Sequence, residues 1–219
     1  MGNCFLKLCT DVRNAEAIQI NNEEEKKRIL INRYASEMEI IKLRVEQIKN
    51  ASKIIKYWQP MVEYKALHLR KIIEQILLAS LIANSEVYQQ YYNRLGKEWN
   101  ARLICRDLER IHPKFFPVAV IDDHENQNIF DNLQDSLTSD EVIEMYEKMG
   151  KLLHSNNPFS PFPNYQELSK YIDDCCKKII CFLRVHKTMM YGEKDFLYVI
   201  MEEKNSGHVS INWFSLCDE

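Results

Sequence analysis

Apolar residues recur at helical spacing along most of this chain, and the pattern is clearest between Tyr64 and Asn84. Residues 76–83 are apolar or small on every side, so we expect this part of a helix to be surrounded by protein. The pattern predicts a central helix that begins near Met61 and ends near Asn84.

Capping residues and helix breakers define the remaining helical segments. Further helices are predicted over 21–50 and 98–111, over 139–149 with Thr138 or Ser139 as its cap, and over 164–191 with Asn164 as its cap. Ser52 could cap a short segment, and Pro60 marks a break before the central helix. The first 20 residues show no clear period and are expected to form an arm or a strand.

Strand patterns are short and lie mainly near the end of the chain. Residues 196–200 and 209–214 alternate around Asn205-Ser206-Gly207, which is typical of a β-hairpin. Residues 115–121 are apolar and β-branched and predict a short extended piece. From Asp122 to Glu147 there are nine acids and no Lys or Arg, so this stretch is expected to be a long exposed loop.

Composition supports a mainly helical protein with one core. The chain has 219 residues, 46% of them hydrophobic, with five glycines and six prolines. Seven cysteines and the lack of a secretory signal fit a reducing, cytoplasmic setting. The net charge of −3 gives no global attraction to nucleic acid, and no apolar run is long enough to span a membrane.

The central helix carries an ion pair, Arg70 and Glu74, on the face that also holds apolar residues. Either the pair is partly buried and belongs to a functional site, or it is a solvated pair that contributes a few tenths of a kcal/mol. The segment from Lys42 to Lys71 contains eight Lys or Arg and only two acids. That excess could follow a phosphate backbone or form a solvated face.

Metal binding has two candidate locations in the sequence. Asp122, Asp123, His124 and Glu125 combine carboxylates with an imidazole, although contiguous loop residues of this kind are usually solvated. The cysteines near the last helix do not share one helical face, so packed thiols are expected and no cofactor is predicted.

Two cation–histidine arrangements could support metal-free cleavage of RNA. The first is Arg106-Asp107 followed by His112, and the second is Lys151 followed by His154. An imidazole can transfer a proton at the 2′-oxygen or the leaving oxygen, while a cation stabilises charge on the phosphorane. Each histidine could instead complement the end of a helix.

Residues 66–74, with an A-x-x-x-R-x-x-x-E core, resemble the helix that opens many domains of the HEPN superfamily. Residues 149–154, Met-Gly-Lys-Leu-Leu-His, are similar to the approach to the final helix in those proteins. The resemblance covers about residues 50–190. The family usually has an Arg four to six residues before its His, and at that place this chain has Lys148 or Glu147.

The resemblance implies an up-down helical bundle that is often a homodimer. Many members are metal-independent ribonucleases of toxin–antitoxin or antiviral defence systems, and others are RNA- or protein-binding modules. It implies a site in which His154 is the general acid/base and Arg70 or Lys151 stabilises phosphate. Glu74 would hold Arg70, and Asn157 would anchor the turn.

These observations predict an HEPN-like bundle over 21–191, with an insertion at 117–138, an arm at 1–20 and a C-terminal β-hairpin appendage at 192–219. The expected function is RNA cleavage, with RNA and a second copy or a regulatory protein as partners. The alternative is a non-catalytic module that binds RNA or protein. A small-molecule enzyme with a pocket at residues 88–92 is a more remote reading. Arg106, Asp107 and His112 form the reserve site.

Overall fold

The computed structural model describes residues 4–91, 100–123, 128–155, 159 and 161–216. The fold is mainly helical with one small antiparallel sheet. The helices are α1 (Cys4–Ile54), α2 (Trp58–Ala83), α3 (Ser85–Tyr91), α4 (Ala101–Ile111), α5 (Ser139–Leu152) and α6 (Tyr165–Leu183). The strands are β1 (Val118–Asp123), β2 (Asn128–Asp131), β3 (Val185–Met189), β4 (Asp195–Ile200) and β5 (Ser210–Ser215).

The first helix is longer than the sequence pattern predicted. The segment 1–20, expected to be an arm or a strand, is helical from Cys4 onward, and the helix predicted for 21–50 continues to Ile54. No Gly or Pro lies between Asn3 and Pro60, so nothing in the backbone interrupts the helix. Pro60 stands in the first turn of α2, where a missing N–H is tolerated.

The predicted central helix is confirmed as α2. Its middle, including Ile72, Ile73, Ile76 and Leu77, is fully buried, and it packs on α1, α4, α5 and α6. α1 covers one side of α2 with a stripe of buried residues spaced three or four apart: Tyr34, Met38, Ile41, Val45, Ile48 and Ala51.

The predicted β-hairpin is confirmed, but it belongs to a larger sheet. β4 and β5 pair with Phe196 opposite Phe214, and Gly207 in the connection has φ +67°. Strand order is β2-β1-β3-β4-β5, and all pairs are antiparallel. Inner-face residues of β4 such as Leu197 and Val199 are buried with the helical core.

Two sequence predictions are corrected by this sheet. The stretch that begins at Asp122, expected to be a long exposed loop, contains the end of β1 and all of β2, because Ile129 and Phe130 pair with Asp122 and Ile121 despite the acids around them. The extended piece predicted for 115–121 is confirmed by β1. The last helix, expected to reach Tyr191, ends at Leu183. Residues Val185–Met189 form β3 because each has a partner on β4.

The predicted caps of α5 and α6 are confirmed. Thr138 and Glu141 form a reciprocal capping box at the start of α5. The Asn164 side chain accepts a hydrogen bond from the Glu167 amide at the start of α6. In the part of the chain that the structure describes, no helix is both long enough and apolar enough to cross a membrane.

A buried histidine joins α1 to the sheet. His186 donates from Nδ1 to the Leu183 carbonyl at 2.9 Å, so its Nε2 accepts from the Tyr34 hydroxyl at 3.1 Å. The Tyr34 hydroxyl also lies 2.7 Å from Oγ1 of Thr188. Burial lowers the pKa of His186 to about 4, so this imidazole is neutral and serves the packing of the core.

Candidate functional site

A cleft of about 470 Å³ opens where α2, α4 and α5 meet. Its size falls within the range of small-ligand sites. Its lining combines charged or polar residues with an apolar floor: Arg70, Lys71, Glu74, Leu78, Asn100, Ala101, Ile104 and Tyr146. The ion pair singled out from the sequence therefore lies in a concave site.

Two cations share one carboxylate in this cleft. Glu74 Oε2 lies 2.6 Å from Lys71 Nζ, and Glu74 Oε1 lies 3.5 Å from Arg70 Nε. The spacings of three and four residues put all three side chains on neighbouring rows of α2. The Glu74 side chain is only 17% exposed, so the Arg70–Glu74 pair is partly buried. Two positive charges against one negative charge leave an excess of positive charge in the lining.

Tyr146 on α5 fixes the Arg70 guanidinium. Arg70 Nη2 donates to the Tyr146 hydroxyl at 2.5 Å, and Cζ of Arg70 lies 4.0 Å from the centroid of the Tyr146 ring. Burial raises the pKa of Tyr146, and the Glu74 carboxylate adds to that increase while Arg70 opposes it. The phenol is therefore neutral, and its hydroxyl accepts the hydrogen bond from Arg70.

Gly150 gives the guanidinium its place on α5. It lies one helical turn beyond Tyr146, and a Cβ built at this position would stand 2.5 Å from Arg70 Nη1. No real Cβ makes such a contact, so the guanidinium rests directly on the glycine backbone. A glycine inside a helix costs about 1 kcal/mol relative to alanine. The close approach of Arg70 accounts for its presence here.

The N-terminus of α4 adds to the potential in the cleft. Asn100 caps this helix by accepting from the amides of Arg102 and Leu103, and Asn100 and Ala101 line the cleft. The positive end of the helix dipole therefore faces the same space as Arg70 and Lys71. An anion is the ligand that this arrangement favours.

The second half of the predicted site does not line the cleft. His154 lies beyond the end of α5 with its side chain exposed to solvent, and Lys151 is also exposed. Both residues are described, and no hydrogen bond joins His154 to Arg70 or Glu74. Asn157 lies outside the described residues. The structure thus brings together Arg70 and Glu74, with Tyr146 in the place where the sequence predicted an imidazole.

The reserve site has a structural role. His112 caps the C-terminus of α4, is 3% exposed, and donates from Nε2 to the Met189 carbonyl of β3 at 3.3 Å. Burial is the main reason that its pKa is lowered. Asp107 is fully buried, and its neighbour Arg106 contacts it at 3.2 Å. His112 thus joins the end of α4 to β3, and Arg106 pairs with Asp107 within α4.

The basic segment of the sequence is largely neutralised in the fold. Five of its eight cations contact a carboxylate among the described residues, and a sixth, Arg44, contacts the neutral amide of Gln75. The contacts are Lys42 with Glu39, Arg44 with Gln75, Lys49 with Glu46, Lys65 with Asp173, and Arg70 and Lys71 with Glu74. A continuous phosphate-binding face along this segment is therefore not formed. Arg44, Lys53 and Lys56 make no ion pair among the described residues.

Sequence reasoning missed the contributions of α4 and α5 to the cleft. Tyr146 was assigned to the apolar face of α5, and Asn100 was not singled out. Gly150 was part of the quoted pattern, but it stands directly after the predicted helix 139–149, where a glycine indicates the end of a helix.

Comparison of the chain with protein-family models, with curated proteins and with solved structures gave no match. Among the described residues, no group of three or more His, Cys, Asp or Glu side chains could hold a metal ion. His124 and Glu125 lie outside the described residues.

Proposed function

We propose that this protein is an HEPN-like RNA-binding module whose cleft holds a phosphate group of single-stranded RNA. The observation that carries the proposal is the Arg70 guanidinium, which is fixed by Tyr146 and seated on Gly150 in an open cleft. A guanidinium that is already positioned loses little side-chain entropy when it binds, and its planar shape matches two phosphate oxygens. Lys71 supplies a second, more flexible charge.

Glu74 sets the strength of this site. Its carboxylate holds Arg70 and Lys71 in place before the ligand arrives, and it also competes with the ligand for both cations. We therefore expect the cleft to bind a single phosphate weakly. Such a site suits a polymer such as RNA, because the free energies of many weak phosphate contacts add along one strand.

Cleavage of RNA is the second candidate, of the toxin or phage-defence type. It is favoured by one observation. His154 lies four residues after Gly150, the residue on which the Arg70 guanidinium rests. In this reading His154 moves a proton at the 2′-oxygen or the leaving oxygen, and Arg70 stabilises the charged phosphorane. The exposed His154 must then reach the phosphate when RNA is bound.

Binding is tested by fluorescence anisotropy with a labelled single-stranded RNA in the presence of a chelator. Arg70→Ala is compared with Arg28→Ala, a matched control. Arg28 also pairs with a Glu of its own helix, at 2.8 Å, but it is exposed and lies outside the cleft. We expect Arg70→Ala to weaken binding at least tenfold and to reduce the salt slope by about 0.7, the value for one phosphate of a single strand. Equal RNA affinities of the two variants would refute the proposal that the cleft binds RNA.

Cleavage is tested with the same RNA and chelator by gel electrophoresis. The His154→Ala variant should bind RNA as the wild type does but fail to cleave it, and His208→Ala serves as the exposed-histidine control. If wild-type protein leaves the RNA intact, or if His154→Ala cleaves normally, the catalytic candidate is rejected while the binding proposal stands.

A further inference from the structure

The turn between α1 and α2 presents large apolar and cationic side chains to solvent. We call residues 53–58 the hairpin tip. Tyr57 is 72% exposed, Ile54 64% and Trp58 49%, and the side chains of Lys53 and Lys56 are also exposed. Two adjacent aromatic residues with this much exposure are unusual at a turn, since burial of their rings would stabilise the fold.

No acid balances the charge of the hairpin tip. The sequence has no Asp or Glu from Lys49 to Val62, and the next one, Glu63, accepts a hydrogen bond from Gln59 at 3.0 Å. Lys53 donates to the neutral amide of Asn50 at 2.8 Å, which leaves its charge uncompensated. Three cations of the basic segment make no ion pair among the described residues. Lys53 and Lys56 are both at this tip, whereas Arg44 lies outside it and donates to the Gln75 side chain.

Helix stability does not explain the residue at position 57. Tyr57 is the N-cap of α2, where Ser, Thr, Asp or Asn would satisfy an amide, and its side chain makes no capping hydrogen bond. The sequence therefore places an exposed aromatic ring where a small polar residue would make a more stable helix. Such a local conflict with stability is typical of a functional position.

We propose that the hairpin tip is a second RNA contact, in which Tyr57 and Trp58 stack on unpaired bases while Lys53 and Lys56 bind the adjoining phosphates. The inference rests on the proposed function of the cleft and extends it. Exposed aromatic rings beside cations are the arrangement with which proteins hold single-stranded nucleic acid. Trp58 lies about 18 Å from Arg70 along the axis of α2, a distance that one strand can bridge.

A membrane surface is the competing occupant, and the charge count argues against it. Polybasic segments that hold a protein to anionic lipid have about four to eight Lys or Arg close together. The hairpin tip offers two lysines, and its neighbours Lys49 and Lys65 are paired with Glu46 and Asp173. Two stacked bases need no larger charge, because stacking itself holds the strand.

The test compares a Tyr57→Ser/Trp58→Ser variant with the wild type in the RNA anisotropy assay. Ser at position 57 can cap α2, so the variant is expected to fold, and circular dichroism checks this. Phe162→Ser is the matched control, because Phe162 is also an exposed aromatic residue but lies outside the tip. We expect the tip variant to bind RNA at least about tenfold more weakly, with the control unchanged.

A second readout reports stacking directly. In a chain whose Trp99 and Trp213 are replaced by Phe, RNA should quench the fluorescence of Trp58. Unchanged affinity of the tip variant together with unquenched Trp58 overturns this inference, even where Arg70→Ala weakens binding and the cleft is upheld. If the tip variant binds RNA more weakly while Arg70→Ala binds it normally, the hairpin tip is supported as an RNA contact and the cleft is refuted as one. Loss of binding to phosphatidylserine vesicles, with RNA affinity intact, overturns the inference in favour of a membrane contact.

Discussion

Replacing Gly150 with alanine tests the geometry of the cleft most directly. In the interior of a helix this change ordinarily stabilises a protein by up to about 1 kcal/mol. Here the new methyl group would stand 2.5 Å from Arg70 Nη1, whereas ordinary contacts begin at 3.4 Å. The guanidinium must therefore shift by roughly 1 Å. It is the group that moves, because among the described residues outside α5 only its atoms, Nη1 and Cζ, come close to the added Cβ.

That shift disturbs the two contacts that fix the guanidinium. The hydrogen bond to the Tyr146 hydroxyl and the contact with the Tyr146 ring are both affected. A hydrogen bond to a charged group contributes about 1.5–3 kcal/mol, and an exposed cation–π contact about 0.5–1 kcal/mol. Arg70 is partly exposed, so water can replace part of the lost hydrogen bonding. We therefore expect Gly150→Ala to lower the free energy of unfolding by between zero and about 2 kcal/mol.

A double-mutant cycle separates the two effects. With Arg70 replaced by Ala, the obstacle is gone, and Gly150→Ala should then stabilise the protein by nearly the full helical gain of about 1 kcal/mol. Urea denaturation measures the four variants, and RNA anisotropy should show at least a tenfold loss for Gly150→Ala alone. If Gly150→Ala stabilises both backgrounds equally, the guanidinium does not rest on Gly150 and the reasoning fails.

Three further predictions concern stability. Because the folded state holds His186 neutral to about pH 4 while its ordinary pKa is 6.5, the unfolded chain binds the extra proton first as pH falls. The contribution of His186 to the free energy of unfolding is therefore fully present above pH 6.5, and about 3 kcal/mol of it is lost as the pH falls to 4. Urea titrations at several pH values should show a smaller decline for His186→Asn than for the wild type. Asp173→Ala leaves the buried Lys65 ammonium without its carboxylate and should cost about 2–3 kcal/mol, whereas Lys65→Met should cost less than about 1 kcal/mol; equal costs would contradict this account. Thr138→Ala removes one half of the capping box with Glu141 and should lower the unfolding free energy by about 1 kcal/mol, measured against an exposed Ser36→Ala control.

The helices that build the cleft could be predicted because their signals are local. The core of α2 was evident from residues 76–83, which are apolar or small on every side, and the starts of α5 and α6 from Thr138 and Asn164. The Arg70–Glu74 pair followed from a spacing of four residues, which any α-helix converts into proximity. These inferences needed no knowledge of distant residues.

Two strands, β2 and β3, and the far side of the cleft could not be predicted in the same way. β3 follows the C-terminus of α6 directly, and its sequence continues a helical pattern until pairing with β4 gives each residue a partner. The same holds for β2, whose acidic context indicated a loop. Strand pairing is a long-range interaction, so the energy that decides it is absent from the local pattern.

By itself the sequence determined a mainly helical chain, its central buried helix, its caps and a cation–carboxylate pair on one face. Only the tertiary structure decided which groups meet that pair. Tyr146 and Gly150 approach Arg70 from α5, 76 and 80 residues further along the chain, while His154 is left in solvent. The physical reason is that periodicity specifies which face of a helix is covered, whereas the packing of whole helices selects the side chains that cover it.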